Sequence, residues 1–284
     1  MSPASTEQFL LEQYTGHPAS QLQDLRKALY QSVFGCEHLI TDTSAAAEGI
    51  RREAAEAGPC SREIEALDGP WSRVHLGVLA DGLTPETLAC IFARSAAMPH
   101  GDADALQEKL TFLRWLIHSG ALPYSPAEAD AELADWQKNG FPACRHSEEY
   151  RAAYRPAYRV LHRTYVHLLP LLAAIDRALA ENPRVLLAIE GGAASGKSTL
   201  ADLLTAVYPD TALFHADDFF LRPEQRTAAR YAQPGGNLDR ERLESEILAP
   251  ISRNEVAIYR PFDCHTLSLR EPVTVLPGRL NIVE

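Results

Sequence analysis

The sequence has little cysteine and no long apolar run. Its 284 residues include five cysteines, an odd number, and no two of them form a CxxC pair. Disulfide frameworks and cysteine-based zinc sites are therefore not expected. No apolar run approaches the roughly 18 residues that a membrane-spanning helix needs, and the N-terminus lacks the basic-then-apolar order of a signal peptide. These absences predict a reduced, cytoplasmic protein that does not insert into a membrane.

An excess of positive charge is also missing. The chain has 27 Lys and Arg against 38 Asp and Glu, a formal net charge of -11. This balance argues against a general attraction to nucleic acid or to anionic lipid. Hydrophobic residues make up 46% and charged residues 23% of the chain, as in ordinary globular proteins. A chain of 284 residues is long enough for two domains, each with its own core.

The first part of the chain has the apolar spacing of helices. From about residue 20 onward, apolar residues recur at intervals of three and four positions. Thr84-Pro85 and Ser125-Pro126 each supply an N-cap residue followed by a proline at the first helical position. Residues 157–180 are predicted to form one long helix with a kink at Pro170. We therefore predict an all-helical domain of unknown role over residues 1–181.

The pattern changes at Asn182-Pro183, where strand-like and helix-like segments begin to alternate. Short apolar runs bounded by turn residues are typical of parallel strands that are buried on both faces. The predicted strands are 185–189, 211–215, 256–259 and 280–283, and the predicted helices are 197–207 and 239–252. This order predicts an α/β domain over residues 182–284, built on a doubly wound parallel sheet.

A glycine-rich loop joins the first of these strands to the following helix. It matches the P-loop pattern G-x-x-x-x-G-K-S, followed by a threonine: Gly191, Gly192, Ala193, Ala194, Ser195, Gly196, Lys197, Ser198 and Thr199. Glycine suits the positions where the backbone turns with positive φ and brings its N–H groups close to phosphate oxygens. Lys197 is predicted to contact the β- and γ-phosphates, Ser198 to bind Mg²⁺ and Thr199 to approach the α-phosphate. We therefore predict ATP and Mg²⁺ as cofactors.

Two aspartates follow the next predicted strand, in the segment Phe214–Phe220. At the carboxyl end of a parallel strand beside the P-loop strand, Asp217 and Asp218 would lie near the γ-phosphate. One of them could accept the proton of an attacking hydroxyl or hold the water shell of Mg²⁺. Alternatively, they could do no more than cap the following turn.

Together the P-loop and Asp217-Asp218-Phe219-Phe220 resemble the uridine kinase and phosphoribulokinase-like group of P-loop kinases. In that group the strand after the P-loop ends in an aspartate that acts as general base on the acceptor hydroxyl. The resemblance gives this role to Asp217. It places Asp218 at a variable position and the two phenylalanines at aromatic positions.

Three later segments extend the resemblance. Asp239 ends a loop, residues 233–239, that resembles the one whose aspartate contacts the substrate sugar. Phe262 and Asp263 match an aromatic-aspartate pair that lines the acceptor pocket. Glu284 follows a strand that, in this group, ends in a glutamate assisting Mg²⁺. The resemblance thus implies one substrate site and one metal site, the latter formed by Ser198 with Glu284.

The sequence also departs from that group. Leu267 stands about where uridine kinases have a base-reading histidine, and His265 comes two residues early, so uridine itself is not implied. In the group the domain continues with an arginine-bearing lid, an adenine-contacting loop and at least one further strand. The resemblance therefore predicts a sheet that is incomplete at the C-terminus and a truncated chain.

The function implied by the resemblance is that of a small-molecule kinase. Lys197 and Mg²⁺ would neutralise the charge that develops during phosphoryl transfer, Asp217 would act as base, and the partner would be a small molecule with a hydroxyl group. Two alternatives stay open. The domain could be a non-catalytic ATP-binding regulatory module, or it could be an ATPase that releases phosphate without an acceptor.

The helical region holds two clusters that place histidine beside carboxylate, at residues 34–38 and 145–150. Together they could bind a metal or a polar ligand. The second cluster is equally well explained as a helix start capped by Ser147. Arginines at positions 151, 155, 159 and 163 recur every four residues and predict a basic stripe on one helix face, which would pair with surface acids or face the phosphate site or an anionic substrate.

Overall fold

The computed structural model describes residues 3–36, 40–58 and 61–284. The chain divides into two compact units, Met1–Ala174 (unit 1) and Ile175–Glu284 (unit 2). The division falls inside a helix, Leu169–Glu181. The boundary at residues 181 and 182 stays a prediction.

In its described residues, unit 1 combines helices with three short strands. Its elements, in chain order, are α1 (Pro3–Gly16), α2 (Leu22–Phe34), α3 (Thr43–Ala57), β1 (Ile64–Ala66), β2 (Trp71–His75), α4 (Pro85–Ala96), α5 (Ala103–His118), α6 (Pro126–Lys138), α7 (Glu148–Tyr154), β3 (Tyr158–His162), α8 (Arg163–Val166) and the start of α9 (Leu169–Glu181). A 3₁₀ segment, Leu76–Asp81, follows β2. Helices α4 and α6 begin at the predicted prolines, although Ser125 makes no side-chain capping hydrogen bond.

The three strands form an antiparallel sheet in the order β1-β2-β3. The prediction of an all-helical domain over residues 1–181 is therefore wrong. Strand β2 is buried along four of its five residues, which include Trp71 and Arg73. The turn residues Asp68, Gly69 and Pro70 stand just before this run, but the run itself lacks the strict alternation of a half-buried strand. Its burial becomes clear only once the helices around it are placed.

The predicted long helix over residues 157–180 is also wrong, because the chain turns before it. Arg155 precedes Pro156, and a residue before proline is disfavoured in the α region. Arg155 instead takes a left-handed conformation, φ 44° and ψ 57°, and ends α7. The chain then continues as β3, α8 and α9. Pro170 is the second residue of α9, where proline is tolerated, so no kink results.

This turn also removes the predicted basic stripe. Arg151 lies on α7 and Arg159 on β3, so the arginines do not share one helix face. Arg159 pairs instead with Glu53, with Nη2 and Oε2 at 2.7 Å. The four-residue spacing of the arginines does not place them on one helix face, because α7 ends at Arg155.

The apolar core of unit 1 lies among α1, α2, α5 and α6. Its members include Leu10, Leu25, Leu29, Leu110, Leu113, Leu133 and Trp136, all at most 4% exposed. Burial of such side chains contributes about 1.5–3 kcal/mol each relative to exposure, so this cluster is the main source of stability for the unit.

A layer of buried polar side chains crosses unit 1 beside this core. Asp24 accepts hydrogen bonds from the backbone and the hydroxyl of Ser147, at 3.0 and 2.5 Å. His146 Nδ1 lies 2.8 Å from Asp24 Oδ1, and its Nε2 lies 2.6 Å from the Tyr158 hydroxyl. Burial alone would raise the pKa of Asp24, but hydrogen bonds from His146 and Ser147 outweigh it and hold that pKa below its usual value. The layer ties α2 to the start of α7 and to β3.

Unit 2 continues α9 and alternates strands with helices. Its further elements are β4 (Val185–Ala188), α10 (Lys197–Val207), β5 (Thr211–Phe214), α11 (Ala228–Tyr231), α12 (Arg240–Leu243), α13 (Ala249–Ser252), β6 (Ala257–Tyr259), β7 (Phe262–Asp263), β8 (Ser268–Leu269), β9 (Val273–Val275) and β10 (Leu280–Val283). Short 3₁₀ segments cover Ala216–Phe219 and Pro223–Gln225. Between α12 and α13 the helix takes a π turn, Glu244–Leu248, just before Pro250, which has no N–H to donate.

A parallel three-stranded sheet, in the order β4-β10-β5, lies at the centre of unit 2. Val283 pairs with Ala188 on one side and with Phe214 on the other. The mixed α/β architecture with a parallel sheet is thus confirmed. The expectation that β5 lies directly beside the P-loop strand is wrong, since β10 separates them. Leu280, Asn281 and Ile282 are all fully buried, as a central strand requires.

The predicted strand at residues 256–259 forms, but outside the parallel sheet. Strand β6 pairs antiparallel with β9, and β7 pairs antiparallel with β8. A second apolar cluster packs between β5 and the helices that follow: Ala212, Phe214, Phe219, Ile247, Ile251, Ala257 and Tyr259. This cluster holds the segment after β5 against β6.

Within residues 3–36, 40–58 and 61–284, no helix combines the length and the hydropathy needed to cross a bilayer.

Candidate functional site

The loop between β4 and α10 has the backbone that a phosphate cradle requires. Gly196, directly before α10, has φ 89°, and Ala194 is also left-handed at φ 58°. Gly191 does not have positive φ, contrary to expectation. A Cβ at this position would lie 2.7 Å from Ser195 Oγ, so alanine here would displace that hydroxyl. The exposed loop therefore presents its backbone, and the N-terminus of α10, to solvent.

Lys197 lies against the inside of this loop. Its ammonium donates hydrogen bonds to the carbonyl oxygens of Gly191 and Gly192, each at 3.2 Å. Thr199 follows one residue after Ser198 on the exposed side of α10. The lysine charge and the first turn of the helix are thus presented at one place.

Ser198 and Glu284, the two residues predicted to bind metal, lie in contact. Ser198 Oγ donates to the two carboxylate oxygens of Glu284, at 3.2 and 3.3 Å. Sheet order explains the contact, because the carboxyl end of β10 lies directly beside that of β4. A hydroxyl and a carboxylate are the oxygen ligands that a hard divalent cation prefers.

His215 completes this cluster, and it was not among the predicted site residues. Its Nδ1 lies 2.7 Å from Glu284 Oε1, on the side opposite Ser198 in the strand order. The only sequence signal was its place directly after β5. Backbone bonds hold Glu284 as well: its N–H donates to Phe214 O at 3.0 Å, and its carbonyl accepts from Ala216 N at 2.8 Å.

The Glu284 side chain is only 8% exposed. Among the described residues no group of three or more His, Cys, Asp or Glu side chains is arranged to hold a metal ion. That does not conflict with a magnesium site, since Mg²⁺ in phosphoryl-transfer sites typically keeps several waters and is bound through one or two carboxylates and substrate phosphates.

The two neighbouring aspartates after β5 have different surroundings. Asp217 is exposed, whereas Asp218 is half-buried and accepts a hydrogen bond from the Tyr259 hydroxyl at 3.4 Å. Burial raises the pKa of Asp218. Burial and the nearby Asp218 carboxylate raise the pKa of Tyr259 to about 12. Neither aspartate makes a capping hydrogen bond to the 3₁₀ segment within the described residues 61–284.

Aromatic packing holds this segment in place. The Tyr259 ring stacks on Phe219, with centroids 5.3 Å apart and an interplanar angle of 28°. Phe219 is fully buried, and Phe220 forms an isolated bridge with Leu238. The position of Asp217 is therefore set by a rigid platform rather than by a free loop.

Asp239 is buried, and both of its carboxylate oxygens are engaged. Oδ1 accepts from Arg242 N at 3.3 Å, capping α12, and Oδ2 accepts from Gln225 Nε2 at 2.9 Å. Its own N–H donates to Phe219 O at 2.6 Å. These bonds join the start of α12 to the end of the aspartate segment.

Phe262 and Asp263 lie on the short hairpin formed by β7 and β8. Phe262 is buried, with the Arg226 guanidinium 5.6 Å from its ring centroid. Asp263 accepts from His265 N at 2.8 Å and pairs with Arg270 at 3.2 Å. The His265 hydrogen bond, with Arg270 acting in the same direction, lowers the pKa of Asp263. The carboxylate thus organises the hairpin.

The predicted histidine clusters of unit 1 are not assembled into a ligand site by the described residues. Both ring nitrogens of His146 are taken up by Asp24 and Tyr158. Ser147 caps α7, accepting from Tyr150 N at 3.1 Å, which is the structural alternative considered for this segment. Glu37 and His38, the charged members of the other cluster, lie outside the described residues.

Comparison with known proteins adds little. No protein-family model matches the sequence, and no curated protein matches it. Among solved structures, the chain is similar to that of a possible uridine kinase from Bacillus stearothermophilus, with 21% sequence identity and a TM-score of 0.32. The match covers 40% of this chain and 70% of the other. Since the TM-score is this low, the likeness carries no argument, and the functional interpretation depends on the residues themselves.

Proposed function

We propose that the protein is an ATP-dependent phosphotransferase that moves the γ-phosphoryl group of ATP to a hydroxyl group of a small molecule. One observation carries the proposal. Lys197, Ser198, Glu284 and His215 come together where three parallel strands end, directly beside a glycine-containing loop. Sites at the carboxyl ends of parallel strands are the usual position for ligands in such sheets.

The residues at this place fit a magnesium-bound triphosphate. A side chain at position 191 would enter the loop, and Gly196 supplies the left-handed turn into α10. Loop N–H groups and the α10 N-terminus would hold the phosphate oxygens, with Lys197 adding a positive charge. Ser198 and Glu284 would hold the metal, with His215 fixing the carboxylate. When bound, ATP supplies the phosphoryl group and Mg²⁺ neutralises charge on its oxygens.

Asp217 is proposed as the general base. Its carboxylate is exposed and forms no hydrogen bond with any residue in the described range 61–284, so it is available to accept the proton of an alcohol. Asp218 is already bonded to Tyr259, which suits it to a structural role instead. Substitution of Asp218 is therefore a matched control for substitution of Asp217.

The acceptor side of the site is proposed to involve Asp239, Phe262 and Asp263. Support comes from the bonds that link Asp239 to the aspartate segment, and from the hairpin that carries the other two. Because the Asp239 oxygens already bind Arg242 and Gln225, Asp239 would act by exchanging one of these partners for an acceptor hydroxyl.

The test is ATP consumption by the full chain with Mg²⁺ against a panel of nucleosides, sugars and small hydroxy acids. Turnover is expected with one acceptor class. Asp217→Asn should lower the rate about 100-fold or more, whereas Asp218→Asn should retain most of it. Lys197→Ala should cripple transfer with the fold intact, as judged by circular dichroism.

Three outcomes would overturn the proposal. Tight ATP binding without turnover on any acceptor would indicate a regulatory module. Phosphate release that needs no acceptor and survives Asp217→Asn would indicate an ATPase. A Lys197→Ala protein with full activity would show that the loop is not the phosphate site.

A further inference from the structure

Unit 1 contains a cavity that the proposed kinase chemistry does not use. Its volume is about 450 Å³, and the ends of α1, α7 and β2, with the segment after α3, line it. Small-molecule sites typically occupy about 300–1,000 Å³. The cavity is thus large enough for a metabolite.

One wall of the cavity is aromatic and firmly held. The ring of His17 lies 5.3 Å from that of Tyr150 and 4.9 Å from that of Tyr154, measured between centroids. His146 stacks on Tyr150 at 4.1 Å with an interplanar angle of 7°. The Tyr154 hydroxyl accepts from Ala19 N at 2.9 Å. These contacts fix the rings, so the wall is formed in advance of any ligand.

Several polar groups on the lining have unused hydrogen-bonding capacity. Within the described part of the chain, the Arg155 guanidinium and the Glu63 carboxylate make no hydrogen bond or ion pair, although both line this cavity. The Tyr150 hydroxyl and the His75 ring nitrogens likewise have no hydrogen-bond partner among residues 3–36, 40–58 and 61–284. Burial lowers the pKa of His75, which keeps its ring neutral at neutral pH.

Apart from the histidines, the two charged side chains on the lining have opposite signs. Arg155 contributes one positive charge and Glu63 one negative charge. The imidazole of His75 adds none. A simple anion would be repelled by Glu63, and a simple cation would be repelled by Arg155. A molecule with both charges would satisfy the two together.

Arg155 also occupies a backbone position at which glycine would be less strained. It ends α7 in a left-handed conformation with φ 44°, a position at which glycine is the usual residue. Arginine here keeps a charged side chain at the cavity in spite of backbone strain. Such strain often occurs at ligand sites.

We propose that this cavity binds a zwitterionic small molecule, namely a free α-amino acid with an aromatic or large apolar side chain. Arg155 pairs with its carboxylate and Glu63 with its ammonium. The side chain packs against the rings of Tyr150, Tyr154 and His17. Neither Arg155 nor Glu63 belongs to the proposed phosphate site, so the inference stands independently of the kinase proposal.

The test is isothermal titration of the full chain with L-phenylalanine, L-tyrosine and L-leucine, and with two analogues that each carry one charge. 3-Phenylpropionate keeps only the carboxylate, and phenethylamine keeps only the ammonium. The wild-type chain should bind an amino acid at least tenfold more tightly than either analogue.

Glu63→Gln and Arg155→Gly separate the two contacts. Glu63→Gln should weaken phenylalanine binding about tenfold and should not weaken 3-phenylpropionate, which loses a repelling charge. Arg155→Gly should weaken phenylalanine equally and should not weaken phenethylamine, for the same reason. Since glycine relieves the left-handed strain, the melting temperature of the Arg155→Gly protein should match or exceed that of the wild type. Glu148→Gln, an exposed charge on α7, is the matched control and should bind as the wild type does.

Three results would overturn the proposal. The first is that no amino acid binds the wild-type chain at millimolar concentration. The second is that both variants bind phenylalanine as tightly as the control. The third is that 3-phenylpropionate binds as tightly as phenylalanine, which would show a site for anions rather than zwitterions.

Discussion

Acid should destabilise unit 1 through His146, which is buried between Asp24 and Tyr158. Burial lowers the pKa of His146 to about 4, and the neighbouring Arg73 guanidinium acts in the same direction. The unfolded chain protonates this histidine near its ordinary value of 6.5. Between those two values the unfolded state binds more protons than the folded state. Stability from the neutral ring is therefore complete above pH 6.5 and is lost as the pH falls toward 4.

The size of the effect follows from the two pKa values. Each pH unit between them is worth about 1.4 kcal/mol, so the full loss is about 3 kcal/mol. The His146 side chain is 7% exposed, so solvent screening does not reduce this figure much. The titration of Asp24 lies outside the pH range over which His146 acts. Its pKa is also lowered, from 3.8, so its stabilisation is lost only below that pH.

Tryptophan fluorescence isolates unit 1, because all three tryptophans of the chain, Trp71, Trp115 and Trp136, lie in it. Urea unfolding of the full chain, followed by this signal, should show a midpoint that falls steadily between pH 6.5 and 4.5. His146→Gln should flatten most of this dependence. His118→Gln, which removes a half-exposed histidine, should leave it unchanged.

The fluorescence experiment has a clear adverse outcome. A wild-type midpoint that is flat across this range would refute the reasoning, as would a His146→Gln protein with the same slope as the wild type. His75 and His162 also have pKa values lowered by burial, so some residual slope is expected in the variant. The difference between the two proteins is the quantity that reports on His146.

Three further outcomes are expected. Gly196→Ala should weaken ATP binding about tenfold or more, measured by titration calorimetry, because its φ of 89° strains any L side chain, whereas Gly192→Ala has open space and no positive φ and should bind normally. Lys109→Met should cost about 3–5 kcal/mol in urea unfolding, since it removes the cation 3.0 Å from buried Asp68. Gly236→Ala places a Cβ 2.1 Å from a backbone oxygen and should unfold unit 2 at lower temperature in calorimetry, and an unchanged transition would contradict this contact.

The features that could be predicted from sequence are those whose physics is local. The P-loop could be recognised because glycine, lysine and serine occupy fixed positions between an apolar strand and a helix. The contact between Ser198 and Glu284 follows from the family resemblance and is observed, although their roles stay predictions. The helices at Pro85 and Pro126 were marked by their prolines.

The features that could not be predicted depend on distant parts of the chain. The residues of Leu280–Val283 do not by themselves indicate that this strand inserts between β4 and β5. The contact between His215 and Glu284, which depends on that insertion, could therefore not be predicted. Strand β2 was missed although a turn, Asp68-Gly69-Pro70, joins it to β1, because its longer pairing is with β3, which four helices separate from it in sequence. Pro156 indicated the turn at Arg155, but the four-residue spacing of the arginines favoured a continuous helix.

The central place of β10 has a consequence for biogenesis. Strands β4 and β5 leave the ribosome before the strand that lies between them, which is synthesised after both. Until Leu280–Val283 emerges, both edges expose unpaired backbone groups and apolar side chains, a state that invites aggregation. Nucleation of this sheet closes a long loop, so its folding is expected to be slow. Nascent chains arrested before residue 280 should therefore be the species on which a holdase chaperone acts.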